Sequence, residues 1–195
     1  MTGFYEFFSL PDRVEVVCPL CDGCATFTYA HVLQIEKKDA HLFENERFEI
    51  KLFNQRFAHK WPGVLFFPPL FGAVSWREKL PEKYQGASTW EHRANSAFTD
   101  GTDLGLICCH QCMAKQKHQL EWPQDAFYAI EFKGHLLWAF NKMMMQQIRD
   151  YIQAKDRDAV FASEPIVIRH LPTVFKLAKN REGLVKKINK LIYRP

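Results

Sequence analysis

The stretch V-V-C-P-L-C-D-G-C-A-T-F-T-Y, Val16 to Tyr29, decides how the chain is read. It carries three cysteines at three-residue spacing. Its counterpart is L-I-C-C-H-Q-C, Leu106 to Cys112, which carries the other three. Cys18-x2-Cys21 matches Cys109-x2-Cys112, and each pair stands between two runs of strand character. R-V-E-V-V leads into the first pair and A-T-F-T-Y-A-H-V leaves it. L-G-L-I-C-C leads into the second and K-H-Q-L-E-W leaves it. A two-residue gap lets one tight turn present two sulfurs to one ion, and four thiolates satisfy Zn²⁺ tetrahedrally. Cys18, Cys21, Cys109 and Cys112 are therefore the expected ligands of a single zinc.

Strand, knuckle, strand, twice over, resembles the general zinc-ribbon class. The resemblance covers about residues 14–32 and 104–122, and C-P-L-C-D-G looks like a ribbon knuckle in detail. C-H-Q-C is less typical because it lacks the flanking glycine. The class implies a structural site and a role in contacting nucleic acid or protein. Eighty-seven residues separate Cys21 from Cys109, far more than a compact ribbon needs, so the ribbon halves are expected to enclose an inserted segment, 33–103. Cys24 and Cys108 are surplus to a four-thiolate site. They read as small buried hydrophobes or as additional ligands. Cys18-x2-Cys21-x2-Cys24 also has the triple spacing of iron–sulfur sites, which makes such a cluster the alternative cofactor.

The 195 residues fit one domain with a sizeable core. The seventeen phenylalanines point to strands. E-R-F-E-I-K-L-F alternates Phe48, Ile50 and Leu52 against Glu49 and Lys51, the pattern of a half-buried strand. P-G-V-L-F-F-P-P-L-F-G is apolar but broken by prolines, which suits an edge or a packed loop. S-T-W-E-H-R-A-N-S-A-F reads as one short helix. Residues 125–140 form the clearest hairpin: Tyr128, Ile130 and Phe132 on one face, answered by Leu136, Trp138 and Phe140, with Lys133-Gly134 at the turn.

The part from 141 to 195 reads as helical. Asn141 has cap chemistry, and Met144, Ile148, Tyr151 and Ile152 share a side as core. Drawn as one helix, the tail would line up Leu177, Leu184, Ile188 and Leu191 but put Arg181 among them. Two short helices capped by Thr173 and Asn180 remove that conflict. The expected fold is α+β: an antiparallel β core stapled by a four-cysteine site, with C-terminal helices, as a single domain over 1–195.

Charge is concentrated at the end of the chain. Phe175 to Pro195 holds seven basic residues and one acid, within a chain of net charge +4. Lys179, Lys186, Lys187 and Lys190 are candidate nucleic-acid contacts. An acidic protein surface would meet the same charges, making the chain a protein–protein adaptor. Catalysis has little support. There is no phosphate-cradling glycine loop, no His-Glu-x-x-His and no nucleophile elbow. Glu91, His92, Arg93, Asp100, Asp103, His59 and Lys60 read as surface, His110 and His118 as loop residues. No deaminase motif is present, and C-P-L-C leads into a strand where a redox motif wants a helix. An enzyme would have to build its pocket in the inserted segment. The N-terminus lacks the pattern of a secretory signal, and the longest apolar run, Val64–Val74, contains two prolines. A cytoplasmic protein without a membrane span is expected, where clustered cysteines bind metal rather than pair as disulfides.

Overall fold

The computed structural model describes residues 11–54, 60–72, 80–86, 103–156 and 171–194. The expected helix at S-T-W-E-H-R-A-N-S-A-F, with Glu91, His92, Arg93 and Asp100, lies outside the described residues, as does His59. The fold is α+β, with antiparallel sheets and C-terminal helices. The chain divides into two compact units, Cys18–Glu121 and Met1–Val17 with Trp122–Pro195.

In the Cys18–Glu121 unit, β2 (Cys24–Tyr29) pairs antiparallel with β6 (Leu104–Cys109), and β6 with β7 (Lys115–Gln119). β7 is almost wholly polar, K-Q-K-H-Q, with Lys115 and Lys117 exposed. Lysines of this kind discourage further strand pairing. A second sheet runs in the order β3 (His31–Gln34), β5 (Trp61–Phe66), β4 (Phe48–Phe53). One apolar cluster gathers Leu33, Phe43, Phe48, Val64, Phe66 and Tyr84. Another gathers Val32, Phe53, Trp61, Leu65, Phe67 and Leu106. Register puts Leu33 beside Val64, and Val32 beside Leu65, so the two clusters lie on opposite faces of this sheet.

That arrangement corrects two sequence expectations. The first half of the proline-punctuated stretch belongs to the central strand β5 rather than an edge, while Pro68–Leu70 beyond it form a 3-10 turn, in keeping with a packed loop. Pro62 sits at the second position of β5, and its carbonyl accepts from Ile35 N–H at 3.0 Å, so only a donor is missing. Gly63 through Phe66 are buried on both faces, which gives a continuous apolar run instead of alternation. Gly63 leaves room for stacked rings; a Cβ there would meet Phe53 at 2.6 Å and Trp61 at 2.7 Å. β4, conversely, is the edge. Phe48 is buried on one face and Phe53 on the other, while Ile50 and Leu52 are 40% and 63% exposed.

In the other unit, β8 (Tyr128–Phe132) and β9 (His135–Ala139) form the expected hairpin. Lys133 (φ 52°) and Gly134 (φ 74°) are both left-handed, as a two-residue primed turn requires. That turn sets Phe132 opposite His135, hence Ile130 opposite Leu137 and Tyr128 opposite Ala139. Leu136 and Trp138 therefore face Glu131 and Ala129, one residue out of step with the sequence expectation. Alternation misleads because β9 is buried on both faces over Leu137–Ala139. Trp138 packs edge-on to Trp122 at 5.3 Å.

β1 (Arg13–Val17) is tied to the residues flanking this hairpin. Glu15 N–H donates to Phe140 O at 2.7 Å, and Phe127 N–H donates to Glu15 O at 3.1 Å. α1 (Lys142–Gln153) buries Met144, Met145, Ile148, Tyr151 and Ile152, so Met144 and Met145 are core, while Met143 is exposed. Its start is capped twice. Asn141 Oδ1 accepts from Met144 N–H at 2.9 Å, and Glu15 Oε2 from Lys142 N–H at 2.8 Å.

The tail breaks where the Arg181 conflict requires. α2 (Thr173–Lys176) is followed by a 3-10 turn and then α3 (Arg181–Ile192). Leu184, Ile188 and Ile192 are buried, while Leu177 is exposed and belongs to no stripe. The expected caps do not form. Thr173 is the first residue inside α2, after Pro172. Asn180 precedes α3, but its side chain turns inward, 3% exposed, donating to Val174 O at 2.8 Å and accepting from Lys133 Nζ at 2.6 Å.

Asn141→Ala should lower stability by about 1 kcal/mol, and Asn141→Gly by only a few tenths. Reversible denaturation of the two variants beside the parent checks this.

Candidate metal centre

Two loops present the sulfurs, and their backbones are alike. In the first, Cys18 N–H donates to Gly23 O at 2.8 Å; in the second, Cys109 N–H donates to Ala114 O at 2.9 Å. The residue after each second cysteine is left-handed, Asp22 at φ 57° and Met113 at φ 60°. The glycine whose absence makes C-H-Q-C look atypical is thus not the left-handed residue in either loop. Asp22 adopts that conformation readily, and Met113 at some steric cost.

The loops meet because of strand register. Ala25 lies opposite Cys109 and Tyr29 opposite Gly105. The first loop ends where β2 begins, the second begins where β6 ends, and the ladder brings both to the same end of the sheet. Cys18 Sγ lies 3.7 Å from Cys112 Sγ, and Cys21 Sγ 3.6 Å from Cys109 Sγ. All four sulfurs lie within 4.8 Å of one another. Cys18 and Cys109 are buried, Cys21 half-buried and Cys112 exposed. No cysteine is in a disulfide. Four cysteines so placed can hold a metal ion.

Backbone amides already favour thiolates here. The amides of Cys112 and Gln111 lower the pKa of Cys109 to about 7, against the opposing effect of burial. The Gly23 amide likewise favours the Cys21 thiolate, but burial and the thiols of Cys112, Cys109 and Cys18 outweigh it and push Cys21 up to about 12. Cys112 receives the Ala114 amide and is still raised, by burial and by Cys109 and Cys18. One sulfur ionises easily and its neighbours then resist. Full ionisation of the set calls for a cation among them.

Cys24 and Cys108 are not part of this group. Cys24 opens β2, half-buried, and its carbonyl faces Cys109 Sγ at 3.9 Å. Cys108 lies opposite Thr26 and packs with Leu104 against the Leu65–Phe67 cluster. His110 is exposed in the second loop, and His118 sits edge-on to Phe27 at 6.3 Å. Lys179, Lys186, Lys187 and Lys190 are all exposed on the C-terminal segment. No helix among the described residues is long and apolar enough to cross a membrane.

A second polar cluster was not foreseen from the sequence. Asp39 is buried and accepts from Lys83 Nζ and Tyr84 Oη, both at 2.6 Å; Lys83 also reaches Glu36 Oε1 at 2.7 Å. The Lys83 bond and then the Tyr84 bond lower the Asp39 pKa. Bonds to Asp39 and Glu36 raise Lys83. Burial, followed by the bond to Asp39, raises Tyr84. These shifts hold Asp39 and Lys83 charged and Tyr84 neutral around pH 7, which makes a tie between chain segments rather than an acid–base pair. The charges come from residues 44 apart, a proximity with no local sequence signal.

No protein-family model, curated protein or solved structure matches the chain.

Cys18→Ser should purify without bound metal and lose cooperative unfolding, whereas Cys24→Ser should keep both. Elemental analysis and thermal melts of the two variants, side by side, decide it.

Proposed function

We propose that Cys18, Cys21, Cys109 and Cys112 hold one zinc ion as a closed structural staple. The chain is then a zinc-stabilised binding protein that engages nucleic acid through its basic C-terminal helix. The observation that carries the zinc reading is the sulfur spacing. Four thiolates at about 2.3 Å from a tetrahedral ion stand about 3.8 Å apart; two of the sulfur pairs stand at 3.6 and 3.7 Å, and all four sulfurs lie within 4.8 Å of one another. An iron–sulfur cluster distributes its thiolates over several irons and wants them wider apart. A four-thiolate zinc keeps no open position, which favours a structural over a catalytic role.

The nucleic-acid reading rests on how α3 is held. Leu184, Ile188 and Ile192 are buried along one side, so the helix cannot roll. Lys179, Lys186 and Lys190 stand exposed. Lys187 is partly engaged, with its ammonium 3.3 Å from Glu131 O and 5.9 Å from the centre of the Phe132 ring. Phosphate contact therefore draws first on the other three.

Metal analysis of tagless protein should find one zinc per chain and no visible absorption band. Bound iron with a visible band would replace the zinc reading with the cluster. Separately, DNA or RNA retention should weaken with salt, with a log–log slope of about −2.7 for three phosphate contacts on a duplex. Replacing Lys179, Lys186 and Lys190 by Glu should abolish it. Unchanged retention would remove the helix from the interface, and a salt-insensitive complex with a protein would favour the adaptor.

A further inference from the structure

The edges of the two sheets in the Cys18–Glu121 unit are treated differently. β7 is guarded by lysines. β4, six residues long, carries a single exposed lysine, Lys51, and beside it displays Ile50 and Leu52, 40% and 63% exposed; among the described residues no strand lies beyond it. A long edge strand with exposed apolar side chains is a template for another strand.

The sequence of β4 says which strand fits. F-E-I-K-L-F is close to self-complementary about Ile50. Antiparallel pairing of two copies centred on Ile50 sets Ile50 opposite Ile50, and Phe48 opposite Leu52, on the face that also carries Val64 and Phe66 of β5. On the other face it sets Glu49 opposite Lys51, twice by symmetry. Apolar residues meet apolar residues and each carboxylate meets an ammonium, the arrangement that cross-strand pairs reward. Shifting the register by one residue would put Glu49 and Lys51 against Leu52 and Ile50 and lose both matches. Glu49 already pairs with Lys117, yet its side chain is 47% exposed, which leaves an approach for a second ammonium.

We propose that β4 is a dimer interface at which two copies of this chain pair strand to strand about a two-fold axis through Ile50. The contact is isologous, the commonest way for identical chains to associate. Its affinity comes from the backbone ladder and its register from Glu49 and Lys51. The inference depends neither on which metal the cysteines bind nor on the role of α3.

The test is sedimentation equilibrium of the full, metal-loaded chain from about 1 μM to about 1 mM, a range that captures a weak interface. The expected result is a concentration-dependent monomer–dimer equilibrium. Glu49→Lys alone, or Lys51→Glu alone, sets like charges opposite each other twice and should weaken association by about tenfold. Glu49→Lys with Lys51→Glu restores opposite charges and should restore dimerisation. Both residues are exposed; Glu49→Lys also removes the pair with Lys117, so Lys51→Glu is the deciding reversal, and near-UV circular dichroism should be unchanged in it. A single monomeric mass across the range would overturn the proposal, as would a dimer that the single reversals leave equally strong.

Discussion

Four sulfurs converge on one point in the Cys18–Glu121 unit, at the end of the β2–β6 ladder. Burial first, and then the neighbouring thiols, raise the pKa values of Cys21 and Cys112 and oppose their ionisation. The backbone counters this with amides directed at Cys109, Cys21 and Cys112. The amides of Cys112 and Gln111, with the neighbouring thiols, bring Cys109 down to about 7 while Cys21 and Cys112 stay raised, and a cation would complete the balance. Metal and fold are coupled in such a site, because the unfolded chain does not hold the ligands together. The closure spans 88 positions, and its entropic cost grows only slowly with loop length. Long insertions between the loops are tolerable for that reason.

The two cysteine loops resemble each other more closely than their sequences do. One carries Pro19, Leu20 and Asp22 where the other carries His110, Gln111 and Met113. What they share is the i to i+5 closing bond, the left-handed residue after the second cysteine and an amide two residues beyond that cysteine directed at its sulfur. These are backbone properties, which several side chains can satisfy. The cysteine spacing was legible because ligand chemistry constrains side chains. The equivalence of Asp22 and Met113 was not, because conformation does not.

Legibility elsewhere followed burial. Where one face of an element is buried, period and position agreed with the structure: α1 with Met144, Ile148, Tyr151 and Ile152, and the turn at Lys133-Gly134. Where both faces are buried, or neither, period carried no information. Gly63–Phe66 is apolar throughout because cores lie on both sides of β5, so its prolines outweighed its place in the sheet. Ile50 and Leu52 alternate correctly with Glu49 and Lys51, but at an edge the alternation no longer implies burial. Leu136 and Trp138 were matched to the wrong face because β9 offers apolar residues on both. Asn180 occupies a cap position yet spends its side chain on Val174 within the tail and on Lys133, a contact that exists only after the hairpin and tail have met.

Basic residues illustrate the same distinction between position and use. Lys83 is bound to a buried carboxylate, Lys117 lies over Phe67 at 4.8 Å, Lys115 reaches Pro69 O at 3.3 Å and Lys133 reaches Asn180. Each neutralises, covers or ties something within its own unit, and a count of positive charge does not separate such lysines from those directed at a ligand. Lys187 of α3 is tied in the same way, to Glu131 O, while Lys186 and Lys190 differ by geometry rather than number. Their helix is fixed by three buried aliphatic residues at four-residue spacing, so Lys186 and Lys190, themselves four apart, stand in one fixed row. On the proposed nucleic-acid reading, a row of charges held by a rigid helix would lose less entropy on binding a repeating polyanion than a mobile tail of equal charge. The hydrophobic side of α3 is thus what gives its charged side a defined shape.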